Sequence, residues 1–209
     1  MHIDLNNYRM KKLLMLFETC GWREMDTDDM EALADRCDCN FYYGASKGVF
    51  INAEWDFVVK IPYFGEDDEH DHCALEYEAY LDICKHYPLC INLFAKIEFL
   101  GWYGEIPVYV QERIDESFSD FMYDHCEEVR NQTYTELDHN ENFVNVCDKV
   151  RGSRLQSAFA YQILKTFGMA VLENLALWIV KSGQNDLHNS NVGFKGKNPC
   201  IFDFAGWLG

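Results

Sequence analysis

The residues able to do chemistry gather in the last quarter of the chain. They lie in Asp186-Leu-His188-Asn-Ser-Asn191 and in Ile201-Phe-Asp203-Phe-Ala-Gly206. An aspartate and an asparagine stand five positions apart at the end of a long apolar helical run. A second aspartate follows seventeen residues after the first, closing a short apolar run that reads as a strand. One acid can orient a hydroxyl acceptor. An amide and a second acid supply the hard oxygen ligands that hold Mg²⁺ against phosphates.

A lysine with an unusual setting lies upstream, in Trp55-Asp-Phe-Val-Val-Lys60-Ile61. Val58, Val59 and Ile61 flank it, and a buried ammonium needs a partner. Sixteen residues on, Glu76 falls on a helical pattern whose Ala79, Tyr80 and Ile83 share a face. Glu78 is the rival partner. A strand-end lysine reaching out to water is the plainer alternative. Tyr43-Gly44-Ala-Ser-Lys-Gly48-Val-Phe50 places two glycines in a turn, where missing Cβ atoms let backbone amides approach phosphates. An ordinary hairpin turn needs the same glycines.

The elements that must position these residues are legible as periodicities. Residues 8–20 read as an amphipathic helix, and Thr27 opens a second with Met30, Leu33 and Ala34 inward. Residues 41–51 suggest a hairpin and 55–61 a strand closed by Pro62. An acidic loop, 66–71, precedes a helix over 73–86. Strands are expected around 91–100 and 106–111, and a helix over 118–126. Residues 131–145 look polar and loop-like. One long helix is expected over 155–181, ended by Gly183, and then short strands over 191–194 and 200–203 around the turn Lys195-Gly-Lys-Asn198. Strands first and helices later indicate an α+β protein.

The chain has 209 residues, 48% of them hydrophobic and 15% aromatic, enough for a sizeable core. Its net charge of −17 argues against nucleic acid, whose phosphates demand Lys and Arg, and is compatible with a partner of basic surface. Nine cysteines, several in apolar helical patterns and with no signal peptide ahead of them, point to reduced thiols and a cytoplasmic setting. The apolar run 167–180 carries Glu173 and Asn174 and is too short to span a bilayer. Cys37, Cys39, His70, His72 and Cys73 are possible zinc ligands, but Cys-x-Cys and His-x-His are not the common zinc spacings.

Taken in order, these pieces resemble the protein-kinase-like superfamily over residues 41–206. The Asp-x-His-x-x-Asn form around His188 looks more like the aminoglycoside-phosphotransferase branch and some small phage kinases. The resemblance implies a two-lobed fold: a helical extension over 1–40, a strand-rich N-lobe over 41–114 and a short helical C-lobe over 115–209. The usual activation segment and later helices would be missing from it. It implies ATP and Mg²⁺ as cofactors, and transfer to protein Ser/Thr hydroxyls. Lys60 would hold the α- and β-phosphates and pair with Glu76, beneath a reduced glycine loop at Gly44 and Gly48. Adenine would meet backbone near Glu112 to Ile114, with Gln111 as gatekeeper. Asp186 would orient the acceptor hydroxyl or accept its proton, and Asn191 and Asp203 would be the metal ligands. The sequence departs from the pattern at Gln184-Asn185, where His-Arg is usual, and at Ala205, where glycine is usual. The missing later helices and the thin glycine loop motivate an alternative, a catalytically weak or inactive pseudokinase that binds or inhibits a protein partner.

Overall fold

Two separate hydrophobic cores organise the chain, and each belongs to its own compact unit. The computed structural model describes residues 7–20, 25–44, 46–62 and 71–204. Among them the fold is α+β, with one five-stranded antiparallel sheet, a three-stranded sheet and seven α-helices. The first unit takes its described residues from the chain up to Tyr77 and from Lys96–Arg113. The second takes Glu78–Ala95 and the described residues from Ile114 onward.

In the first unit, α1 (Tyr8–Thr19) buries Met10, Leu13, Leu14 and Phe17, the spacing of one helix face. Asn7 caps it, accepting from the amides of Arg9 and Met10. α2 (Thr27–Arg36) starts with a capping box between Asp26 and Asp29 and buries Met30, Leu33 and Ala34. Both faces merge with the sheet in a core that includes Phe50, Trp55, Phe57, Val59, Ile61, Ile106, Val108 and Val110. The helices over 8–36 are therefore part of the body that carries the sheet.

That sheet runs in the order β1 (Asn40–Tyr43), β2 (Lys47–Ile51), β3 (Phe57–Pro62), β5 (Ile106–Glu112), β4 (Ile97–Tyr103). All six residues of β3 are buried, as are the first six of β5, so neither strand alternates. Register places Val49 and Tyr109 on either side of Lys60. Lys47, two residues before Val49, shares the face of Lys60. α3 (His72–His86) begins at Asp71, whose carboxylate accepts from the Ala74 amide at 2.9 Å and from the Tyr109 hydroxyl at 3.1 Å. Most of the expected acidic loop, 66–70, lies outside the described residues.

The helical content of the second unit differs from expectation in two places. The polar stretch 131–145 is not a loop. α4 runs Phe118–His139 and α5 Glu141–Val150, with Asn140 closing the first and capping the second through the Phe143 amide. Most of this polar stretch is the solvated side of amphipathic helices. Thr133 and Thr135 satisfy their hydroxyls on carbonyls one turn back, at 2.7 and 2.9 Å. Phe143, Val146 and Val150 enter the core. The expected single helix over 155–181 is two, α6 (Ser157–Phe167) and α7 (Met169–Ser182). Gly168, at φ 86 and ψ 170, breaks the run with a conformation that favours glycine. The expected strand at 91–100 also shortens, because Ile91–Leu93 forms a 3₁₀ turn before β4.

A short strand not anticipated from the sequence, β6 (Glu116–Ser117), pairs with β7 (Val192–Lys195), which pairs with β8 (Asn198–Ile201). This small sheet carries the segment between Asn191 and Phe202. Phe194 packs its ring 4.5 Å from that of Phe121, and Phe118 meets Phe159 at 5.1 Å. Gly193 permits the β6–β7 approach, since a Cβ there would sit 2.3 Å from the Glu116 carbonyl oxygen.

All nine cysteines are free thiols, five of them buried. Burial pushes Cys39 and Cys90 up to about 12 and Cys73 higher still. No helix among the described residues is long and apolar enough to cross a membrane.

Two outcomes follow from this packing. Gly193→Ala should lower the urea midpoint by about 1–3 kcal/mol of stability, the cost of overpacking, whereas Gly44→Ala, with open space at its Cβ, should change it little. The folded thiol pKa values lie above the unfolded ones, so their contribution to stability is complete below the ordinary thiol value. It is lost as pH rises through that value toward 12. Iodoacetamide labelling at mildly alkaline pH should accordingly be slow at Cys39, Cys73 and Cys90 in the native protein and fast in urea. Equal rates in the two states would contradict this burial.

Candidate functional site

In the first unit the centre of polar chemistry is Glu76, on α3 and fully buried. Its Oε2 accepts from Lys60 Nζ at 2.9 Å and from Lys47 Nζ at 3.1 Å. Its Oε1 accepts from Lys60 Nζ at 3.1 Å and from Gln111 Nε2 at 2.9 Å. All four side chains are buried. Glu78 is exposed and takes no part. Burying an ammonium or a carboxylate alone is costly, and mutual bonding offsets that cost. The cluster therefore holds Lys60 in one place on a central strand.

Two members of this cluster had no such role in the sequence. Lys47 sits inside the glycine turn, where a lysine reads as solvated. Gln111, expected at the gatekeeper position, bonds to Glu76. The face shared by Lys47, Val49 and the neighbour of Lys60 was available from strand alternation, but only once the register was known.

Both glycines are engaged in the β1–β2 hairpin. The Gly44 amide donates to the Lys47 carbonyl at 3.0 Å across the hairpin. Gly48 pairs with Tyr43, and a Cβ on it would meet the Phe41 ring at 2.8 Å. Gly48 is thus a packing requirement of the hairpin. At the end of β5 the amides of Glu112 and Arg113 donate to the carbonyls of Lys96 and Asp56, at 2.8 and 3.0 Å. Ile114, half-buried, is the next residue and opens the second unit.

In the second unit α7 ends at Gly183 in the left-handed region, and the chain turns into the segment carrying Asp186. Gln184 organises this turn. Its Oε1 accepts from the amides of Asn185 and Asp186, at 2.9 and 3.2 Å, and its Nε2 donates to the Phe204 carbonyl. One buried side chain therefore ties the Asp186 loop to the segment carrying Asp203. A glutamine read from sequence as a departure from pattern is the clamp between the two acidic segments. The Leu187 amide donates to the Ser153 carbonyl at 2.8 Å and fixes the loop from the other side.

Asn191 Nδ2 donates to the Asp186 carbonyl at 2.7 Å and to Asp186 Oδ2 at 3.2 Å. That leaves Asn191 Oδ1 as the amide's oxygen donor. The Asn191 carbonyl accepts from the amides of Phe202 and Asp203, at 3.1 and 3.3 Å. Asp186, Asn191 and Asp203 are thus brought together by main-chain and amide bonds. On Oδ1, Asp186 is faced by Arg154 at 3.5 Å and by His188 Nε2 at 3.6 Å. His188 Nδ1 accepts from the Ser190 amide, so the ring proton sits on Nε2, toward Asp186. A carboxylate held in this way can orient a hydroxyl and take its proton. The oxygens of Asn191 and Asp203 are of the kind a hard divalent cation prefers.

No family model, curated protein or solved structure matches the chain. The alternative zinc constellation is not assembled: among the described residues no group of three or more His, Cys, Asp or Glu is placed to hold a metal ion, and His70 lies outside them.

The clamp and the buried cluster each predict a stability loss. Glu76→Ala removes the carboxylate on which two buried ammonium groups converge and should cost about 3–5 kcal/mol by chemical denaturation. Gln184→Ala should cost about 1–3 kcal/mol, because the Phe204 carbonyl loses its buried donor. A Glu76→Ala variant as stable as the parent would show that the cluster contributes nothing to folding.

Proposed function

We propose that the chain is an ATP- and Mg²⁺-dependent phosphotransferase of protein-kinase-like type, with a kinase-like fold, acting on hydroxyl acceptors, either protein Ser/Thr or a small alcohol. The observation that carries this reading is the fully buried Glu76 bonded to Lys60 on a central strand. A lysine placed there at the expense of a buried ion cluster is poorly explained by solubility or by folding alone. The loop chemistry supports the same reading, because Asp186, Asn191 and Asp203 are joined by direct bonds rather than only by order in the chain.

Each residue has a definite part. Lys60, oriented by Glu76, contributes a fixed positive charge for phosphate oxygens. Lys47 adds a second ammonium on the same carboxylate. Asp186, held by Asn191 and flanked by Arg154 and His188, orients the acceptor hydroxyl and accepts its proton as the oxygen–phosphorus bond forms, while the bond from the γ-phosphorus to the β–γ bridging oxygen breaks and ADP leaves. Asn191 and Asp203 would hold Mg²⁺, which supplies charge neutralisation at the phosphates when bound. Gln184 keeps the segments of Asp186 and Asp203 in register and acts only by positioning.

The test is transfer of labelled γ-phosphate, with folding monitored by circular dichroism. Asp186→Asn should lower the transfer rate by about 10²–10⁴-fold, the usual contribution of a positioned base, without loss of structure. Lys60→Met should abolish transfer. Thermal stabilisation of the parent should require ATP and Mg²⁺ together, since a ligand of the native state raises the melting temperature. A parent protein that neither turns over Mg-ATP nor is stabilised by it would refute the phosphotransferase reading.

A further inference from the structure

Within the second unit lies a cavity of about 410 Å³, lined in part by Arg154, for which neither the fold nor the phosphate chemistry has a use. Its apolar wall comes from Leu137, Val144 and Leu155, and its polar side from Arg151, Arg154 and Ser157. Asp148 also lines it and pairs with Arg151 at 2.7 Å. In a chain with 35 acidic residues against 18 Lys and Arg, a cavity with two arginines and one aspartate runs against the prevailing charge.

Arg154 links this cavity to Asp186. It lines the cavity, and its Nη1 lies 3.5 Å from Asp186 Oδ1. The guanidinium makes no hydrogen bond and no other ion pair among the described residues, so its fork of donors is available to a ligand. Arg154 also adopts the left-handed backbone conformation, φ 65 and ψ 6, which a non-glycine residue rarely holds and which persists where the surroundings enforce it. The 3₁₀ turn Arg151–Ser153 precedes it, and the Ser153 carbonyl binds the Leu187 amide of the Asp186 loop.

We propose that this cavity is the acceptor subsite, and that the acceptor carries an anionic group, carboxylate or phosphate, close to the hydroxyl presented to Asp186. This rests on the phosphotransferase reading above for the role of the hydroxyl, and within it favours a small acidic alcohol over a serine inside a protein chain, whose neighbouring carbonyl is a neutral amide. Arg154 receives the anion through its planar fork, for which lysine is a poorer substitute. Arg151, its charge balanced by Asp148, lines the same side, and the Leu137, Val144 and Leu155 wall accepts the apolar part of the acceptor. Because the guanidinium contacts Asp186 directly, hydroxyl and anion must be on neighbouring carbons of the same molecule. Arg154 is the specificity-determining residue, and it selects acidic over neutral hydroxyl compounds.

The test uses the whole chain and three probes, N-acetylserine, glycerol 3-phosphate and the neutral N-acetylserinamide, with binding measured by calorimetry at physiological ionic strength. The acidic probes should bind at least about tenfold more tightly than the neutral one, the effect of one charge-assisted pair. Arg154→Asn, chosen because asparagine tolerates the left-handed conformation, should abolish that difference, and Arg154→Lys should restore part of it. Preference for only one acidic probe would identify the anion as carboxylate or phosphate. If Arg154→Asn unfolds, Arg154→Lys and Arg151→Asn carry the comparison. Equal binding of acidic and neutral probes, no binding of either, or an unchanged preference in the Arg154 variants would overturn the proposal. Arg154-dependent binding without phosphate transfer in the parent would leave the subsite standing and sink the transfer reading. Lys60-dependent transfer to acceptors indifferent to Arg154 would do the reverse.

Discussion

The fully buried carboxylate of Glu76 is the constraint on which the first unit depends. It accepts hydrogen bonds from Lys60, Lys47 and Gln111, which come from three different strands, β3, β2 and β5. A charge in a dry interior cannot drift, because each donor that leaves exposes the remaining charges to an uncompensated desolvation cost. The cluster thus fixes the first turns of α3, which carry Glu76, against the middle of the sheet, and the direction of the Lys60 ammonium. The apolar core beneath, built from α1, α2 and the other side of the sheet, has no comparable directional requirement. Packing of that kind is tolerant of volume-conserving exchange, whereas the ion cluster is not.

The second unit reaches a similar precision by main-chain bonds. Gln184 accepts from two amides of the Asp186 loop and donates to the carbonyl of Phe204, and the carbonyl of Asn191 receives the amides of Phe202 and Asp203. The small sheet β6–β7–β8 supports this arrangement from below, and Gly193 lets its strands approach. Loops held through backbone groups keep their shape with little help from side-chain identity. That explains how a glutamine serves where a different residue was expected. It also leaves side chains such as Arg154 and His188 free to set the electrostatics around Asp186.

Much of the secondary structure was legible because periodicity reports burial. The face of Met10, Leu13, Leu14 and Phe17 is that of α1, and the hairpin around Gly44 and the turn at Gly196 follow from turn chemistry. The stretch 131–145 was illegible for a physical reason. An amphipathic helix with a wide solvated face has a composition close to that of a loop, and its few core residues, Phe143, Val146 and Val150, announce themselves only when their partners are known. The break at Gly168 was hidden because a glycine inside an apolar helical run is compatible with either continuation or interruption.

The sequence by itself determined the candidate residues Lys60, Glu76, Asp186, Asn191 and Asp203, since residue type, local pattern and order along the chain are properties of the string. It also determined the α+β class, through the order of strand and helix periodicities. Only the tertiary structure decided that Glu76 rather than Glu78 meets Lys60, that Lys47 and Gln111 join them, and that Gln184 and Arg154 flank the acidic loop. These contacts link residues from 16 to 35 positions apart across strands, or across a loop closed by main-chain bonds. Their existence depends on register and on the direction of buried donors, which no local pattern encodes.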